Sequence, residues 1–136
     1  MTDASLQILN TVLDRLTHTL LQYVGEAWPW TNPLETHGQE TMNGLVRRQQ
    51  FGADRVAQLL AERRAIITLG NYRFDGSLLN YCTFDFLKSQ LIKDETCLIA
   101  ELREAVSCVN GDPGAVRLLE QLIVDEEETL KRLNEL

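Results

Sequence analysis

The chain has 136 residues, 44% of them hydrophobic and 24% charged, with a formal net charge of -7. That length suits one domain over residues 1–136 with a single substantial core, and no apolar run is long enough to cross a bilayer. Lys and Arg are scattered, with nothing longer than pairs such as Arg47-Arg48 and Arg63-Arg64, whereas phosphate backbones and anionic lipids require a clustered positive face, so neither nucleic acid nor a membrane is expected as a partner.

The opening stretch MTDASLQILNTVLDRL lacks a basic segment followed by an apolar core and a small-residue cleavage site. No signal peptide is expected, and a cytoplasmic location follows by default. The first helix is predicted from about Asp3 to Ala27, with Leu6, Leu9, Leu13, Leu16 and Leu20 on one stripe and WPWTNP as its stop. The second starts between Pro33 and Thr36, where Asn32-Pro33-Leu34-Glu35 supplies an N-cap, a first-turn proline and a glutamate three residues after the cap. Its stripe is Met42, Val46, Gln49, Ala53, Val56 and Leu60.

Residues Ile66 to Gly76, IITLGNYRFDG, could stretch to about 36 Å at roughly 3.3 Å each, close to the length of a long helix. They form either a loose hairpin loop or a crossover between the second and third helices. The third helix runs from near Ser77 to near Val109, with Asn110-Gly111 as a left-handed stop and Phe84, Leu87, Leu91, Leu98, Leu102 and Ala105 along its seam. Asp112-Pro113 then provides an N-cap and a first-turn proline for the fourth helix, and the short link implies antiparallel neighbours. With no competing strand pattern and no internal repeat, the fold is predicted to be all-α, a four-helix bundle.

Three of the four stripes carry a polar residue near mid-length: Gln49, either Asp94 or Glu95, and Glu126 with Thr129 one turn on. An ionised carboxylate in a helical core costs several kcal/mol unless paired, hydrogen-bonded or metal-bound, so these groups are expected to meet. Without metal, like charges at close range force one carboxyl to be protonated.

The stretch LIVDEEETLKRL resembles the fourth-helix motif of the ferritin-like superfamily, bacterioferritins especially, in which an apolar pair is followed by acidic residues and a histidine. In that alignment Glu126 stands at the bridging carboxylate and Thr129 at the histidine. DETCLIAELREAV is similar to the family segment that places a ligand glutamate at Glu95, and QQFGADRVAQLL resembles Glu-x-x-His-Ala-Asp, with Gln49 at the glutamate and Gly52 at the histidine. Matching Gln22-Tyr23 to the family's Gln-Tyr puts Leu16 at a further glutamate position. The resemblance implies a ferritin-like bundle, paired as a homodimer, whose candidate metal positions are Glu95, Glu126 and Gln49. With both histidines replaced, it implies a non-catalytic binding or structural protein. The alternative is a metal-binding protein or oxidoreductase with a rebuilt carboxylate site for iron, manganese or zinc.

No HExxH, P-loop, GxSxG or dinucleotide fingerprint occurs. His18, between stripe positions Leu16 and Leu20, reads as a boundary residue, and His37 lies within LETHGQE near Glu35 and Glu40. Cys82, Cys97 and Cys108 lack paired spacing and are expected to be buried thiols. Glu127 and Glu128 are expected to pair with Lys131 and Arg132 on the wet face. Trp28-Pro29-Trp30 and Tyr72-Arg73-Phe74 are expected either to cap the core or to offer a surface for a protein partner.

Overall fold

A computed structural model describes residues 3–27, 36–72 and 84–136. Among them are five α-helices and no strand: α1 Asp3–Thr17, α2 Leu20–Ala27, α3 Thr36–Glu62, α4 Phe84–Cys108 and α5 Pro113–Asn134. The all-α expectation holds, and no helix among the described residues is long and apolar enough to cross a membrane. The Trp28/Trp30 loop, Arg73-Phe74, Cys82 and the starts expected for the second and third helices lie outside the described residues, as does the side chain of His37.

The first predicted helix is in fact two. Thr19 acts as the N-cap of α2, its hydroxyl accepting the Gln22 N–H at 3.1 Å, while the Leu20 N–H donates to Asp94 Oδ2 of α4 at 2.9 Å. Side chains thus satisfy two N–H groups that a continuous helix would have paired internally. The apolar stripe cannot reveal the break, because Leu16 and Leu20 are buried on either side of it.

Contacts between the helices give the path of the chain. Leu9, Leu60, Val109 and Ala115 share one apolar cluster, so the start of α1, the ends of α3 and α4 and the start of α5 lie together. Leu21, Met42, Leu87 and Leu133 share a second, which collects the opposite ends. Hence α3 and α4 run in the same direction, and α1–α2 and α5 run against them. The connection after α3 must return along the molecule, as the crossover alternative requires. Its described part does so: Thr68 exchanges hydrogen bonds with Asn10 (2.8 and 2.9 Å), the Gly70 N–H donates to Asp14 at 2.7 Å, and the Tyr72 hydroxyl donates to Glu26 at 3.1 Å. The strap climbs alongside α1 and α2 in their own direction.

Both α3 and α5 have well-defined ends near the strap. Beyond α3, Arg64 adopts a left-handed φ of 58°. The Ala65 N–H bonds back to Leu60 O and the Arg64 N–H to Ala61 O, each at 3.0 Å, which closes a Schellman motif without a glycine. At α5, Asp112 is the N-cap expected, accepting from the Ala115 N–H at 3.2 Å ahead of Pro113. Its carboxylate also takes two hydrogen bonds from Arg63 (2.6 and 2.8 Å) and one from Ser5 (2.8 Å), tying α1, α3 and α5 together. The Arg63 fork, chiefly, holds this carboxyl well below the usual range.

Two expectations about surface residues fail. Cys97 and Cys108 are exposed, Cys97 because it stands two residues, about 200°, from the inward-facing Glu95. Glu128 pairs with Arg132 as expected, but Glu127 reaches across to Arg103 on α4 rather than to Lys131.

Because one carboxylate serves as cap, ion-pair partner and acceptor for Ser5, Asp112→Ala is expected to destabilise the fold by about 2 kcal/mol in urea unfolding, more than an isolated cap at about 1 kcal/mol. A loss well under about 1 kcal/mol would mean that the junction does not hold the three helices.

Candidate functional site

Between the two apolar clusters lies a polar layer. On α3 it falls between Leu45 and Ala53, on α4 between Leu91 and Leu98, and on α5 between Leu122 and Leu133. Gln49, Glu95 and Glu126, named from the stripes, meet there, each almost wholly out of solvent (1%, 2% and 3% exposed). The choice left open between Asp94 and Glu95 resolves by rotation. Glu95 points inward, and Asp94 faces α1, where it pairs with Arg15 at 2.9 Å and caps α2.

The layer's hydrogen bonds can be oriented from one fixed acceptor, the backbone carbonyl of Val46. Gln22 Nε2 donates to it at 3.0 Å and must therefore also be the donor to Gln49 Oε1 at 3.1 Å. The Thr19 hydroxyl donates to the same oxygen at 2.6 Å. With its oxygen occupied from one side, Gln49 turns Nε2 toward the carboxyls, donating to Glu126 Oε1 at 2.6 Å and to Glu95 Oε2 at 3.4 Å. On the outer side, Gln50 Nε2 donates to Gln22 Oε1 at 3.1 Å. Gln22 and Gln50 there line a depression of about 220 Å³ beside Tyr72.

Two carboxyls at this depth share a proton. Burial, then the charge of Glu126, raise Glu95 to about 9, and the hydrogen bond between them acts in the same direction. Glu126 is also raised by burial, but Gln49 and Glu95 both hydrogen-bond to its charged form. Both carboxyls are thus pushed toward the neutral form, Glu95 the more strongly, while the short Gln49 contact favours charge on Glu126. Asp94 adds to the repulsion on Glu95 while Arg15 relieves it; around Glu126, Asp125 and Arg48 play those two parts.

The other positions matched to metal ligands take no part in the layer. Thr129 is buried, but its hydroxyl donates to Asp125 O at 3.2 Å within its own helix. Gly52 is a close-approach position, since a Cβ there would come within 2.9 Å of Leu122 Cδ2. Leu16 is buried among apolar neighbours. His18, a boundary residue as expected, turns Nδ1 to Asp14 and packs its ring edge-on to Tyr72 at 5.0 Å.

A divalent cation needs oxygen ligands at its centre, and Gln49 instead directs an N–H there. Among the described residues, no group of three or more His, Cys, Asp or Glu could hold a metal ion. In this arrangement the Gln49 amide turns a donor, not a ligand oxygen, toward the carboxyl pair. Thr19, Gln22 and Arg15 were missed from the stripes, although Thr19-Leu20-Leu21-Gln22 has the T-x-x-Q spacing of a capping box and could have marked the start of α2.

No protein-family model matches the chain, and neither a curated protein nor a solved structure matches it.

The raised Glu95 fixes the sign of a pH effect. Below about pH 4.5, the ordinary value, Glu95 is protonated in both the folded and unfolded states, and the stability it contributes is complete. Above that the unfolded chain releases the proton and the folded one keeps it, so stability falls as pH rises toward about 9. Urea unfolding across this window is expected to show the decline in the wild type and a flatter profile in Glu95→Gln, whose amide can still donate to Glu126 but cannot titrate. Parallel profiles would place the proton elsewhere.

Proposed function

We propose that the chain is a ferritin-like four-helix bundle lacking a complete di-iron centre, and that it acts as a non-catalytic binding or structural protein. The observation that carries this reading is the Gln49 amide, held with its nitrogen 2.6 Å from Glu126 by Thr19 and Gln22 behind it. A donor stands where a metal ligand would be needed. Two further features support the family reading: a crossover between helices that run in the same direction, and a mid-height polar layer that includes Glu95 and Glu126. In this role the layer selects helix register, since sliding any of α3, α4 or α5 by one turn would leave a buried carboxyl or amide without its partners.

One observation favours the rebuilt-metal alternative. Glu95 Oε1 is buried with no hydrogen-bond partner among the described residues, which leaves a lone pair free for a cation. Loading purified protein with Fe(II), Mn(II) or Zn(II) and measuring bound metal after desalting separates the two. The proposed function predicts no stoichiometric retention. Retention that disappears in both Glu126→Ala and Glu95→Ala would establish the alternative.

The homodimer belongs to the same proposal and is supported by the strap, where Ile66 is 90% exposed with Ile67 and Leu69 beside it. Sedimentation is expected to give a dimer for the wild type and a monomer for the double variant Ile66→Lys with Leu69→Lys. A wild type that sediments as a monomer would remove the dimer from the proposal.

A further inference from the structure

On the face between α3 and α5, away from the strap, Arg47, Arg48, Phe51, Arg55, Gln121 and Asp125 line an open depression of about 490 Å³. For a chain of net charge -7 this is a local reversal of sign: three guanidinium groups meet one carboxylate. Arg55 is already engaged, with Nη2 at 2.6 Å from Asp125 and its guanidinium over the Phe51 ring at 5.5 Å. Asp125 also accepts from Gln121 at 3.1 Å, so its charge is largely spoken for. Arg47, together with Arg48 as partly offset by Glu126 behind it, sets the potential of the depression.

Two further observations bear on what this face can hold. The Nε atoms of Arg48 and Arg55 are both buried without a hydrogen-bond partner among the described residues. Nε atoms without accessible surface are closed to a ligand from solvent, so an oxyanion in the depression would meet the outer edge of the guanidinium groups, whose fork matches the paired oxygens of a carboxylate or phosphate. Phe51, meanwhile, is 65% exposed on the rim of the same depression and offers an apolar surface to whatever the arginines hold.

We propose that this face is a binding site for a small molecule bearing an oxyanion, a phosphate or carboxylate group held by Arg47 and Arg48, with its apolar body resting on Phe51. The depression opens beside the buried carboxyl pair, whose Glu126 is attracted by Arg48, but the proposal does not rest on the role assigned to that pair.

Calorimetric titration of the full chain with phenyl phosphate, benzoate and inorganic phosphate at low salt tests the proposal. Saturable binding of phenyl phosphate or benzoate is expected at a Kd of about 1 mM or tighter, and the better of the two identifies the anionic group. Arg48→Gln is expected to weaken binding about tenfold. Phe51→Ala is expected to bring the aromatic ligand down to the level of inorganic phosphate. Arg47 is exposed, so Arg47→Gln provides a variant whose weaker binding cannot be blamed on unfolding; a melting curve checks both arginine variants. Absence of saturation with all three anions, or unchanged binding in both arginine variants, would overturn the proposal.

Discussion

The amide of Gln49 is the group on which the interior of this protein turns. Its oxygen accepts from Thr19 and Gln22, its nitrogen donates to Glu126 and Glu95, and no part of it is left unsatisfied. An amide used in this way transmits orientation: donors on the α1–α2 side dictate that only acceptors can stand on the α4–α5 side. Glu126 meets that demand as the closer acceptor, and burial together with the charge of Glu126 holds Glu95 toward its neutral form. Low dielectric makes each of these contacts stronger and any vacancy among them more costly.

The break in the first helix belongs to the same arrangement. A continuous helix would bury the Thr19 hydroxyl with its oxygen bonded to its own backbone. Interrupting the helix frees that hydroxyl to reach Gln49 while its oxygen caps α2, and Asp94 of α4 takes the next N–H. Asp94 is held in turn by Arg15, which also bonds Glu101 at 2.7 Å. Residues 94 and 95, adjacent in sequence, therefore serve opposite environments, one a charged cap at the boundary and the other a neutral acid in the interior. Each needs the other's rotation to be what it is.

The strap and the α3–α5 face are surfaces of different character. Along the strap, side chains of α1 hold the backbone from one side and Glu26 of α2 takes the Tyr72 hydroxyl, while Ile66, Ile67 and Leu69 are left to solvent. On the α3–α5 face, arginines spaced along one side of α3 gather around Phe51 despite an acidic chain overall. Net charge describes the whole molecule; the local field depends on which residues share a helix face.

Much of the helical framework was legible in the residues, because periodic leucines and the Asp112-Pro113 cap act over only a few positions; the left-handed stop expected at Asn110-Gly111 fails, since neither residue has a positive φ and α4 ends in a turn in which the Asp112 N–H bonds to Val109 O at 2.9 Å. Three polar residues on apolar stripes were legible for the same reason, and a buried charge without partners is too costly to be an accident. The long connection after α3 was legible only as two alternatives, since a chain of that reach can lie either way. Tertiary structure alone decided the crossover, the break at Thr19, the exposure of Cys97 and Cys108, and the inward turn of Glu95. These depend on which helices face one another and how each is rotated, and helical periodicity leaves both undetermined. The direction of the Gln49 amide is the clearest instance: its sequence position offers an oxygen and a nitrogen equally, and only the Val46 carbonyl, reached through Gln22, determines which of them meets the carboxyls.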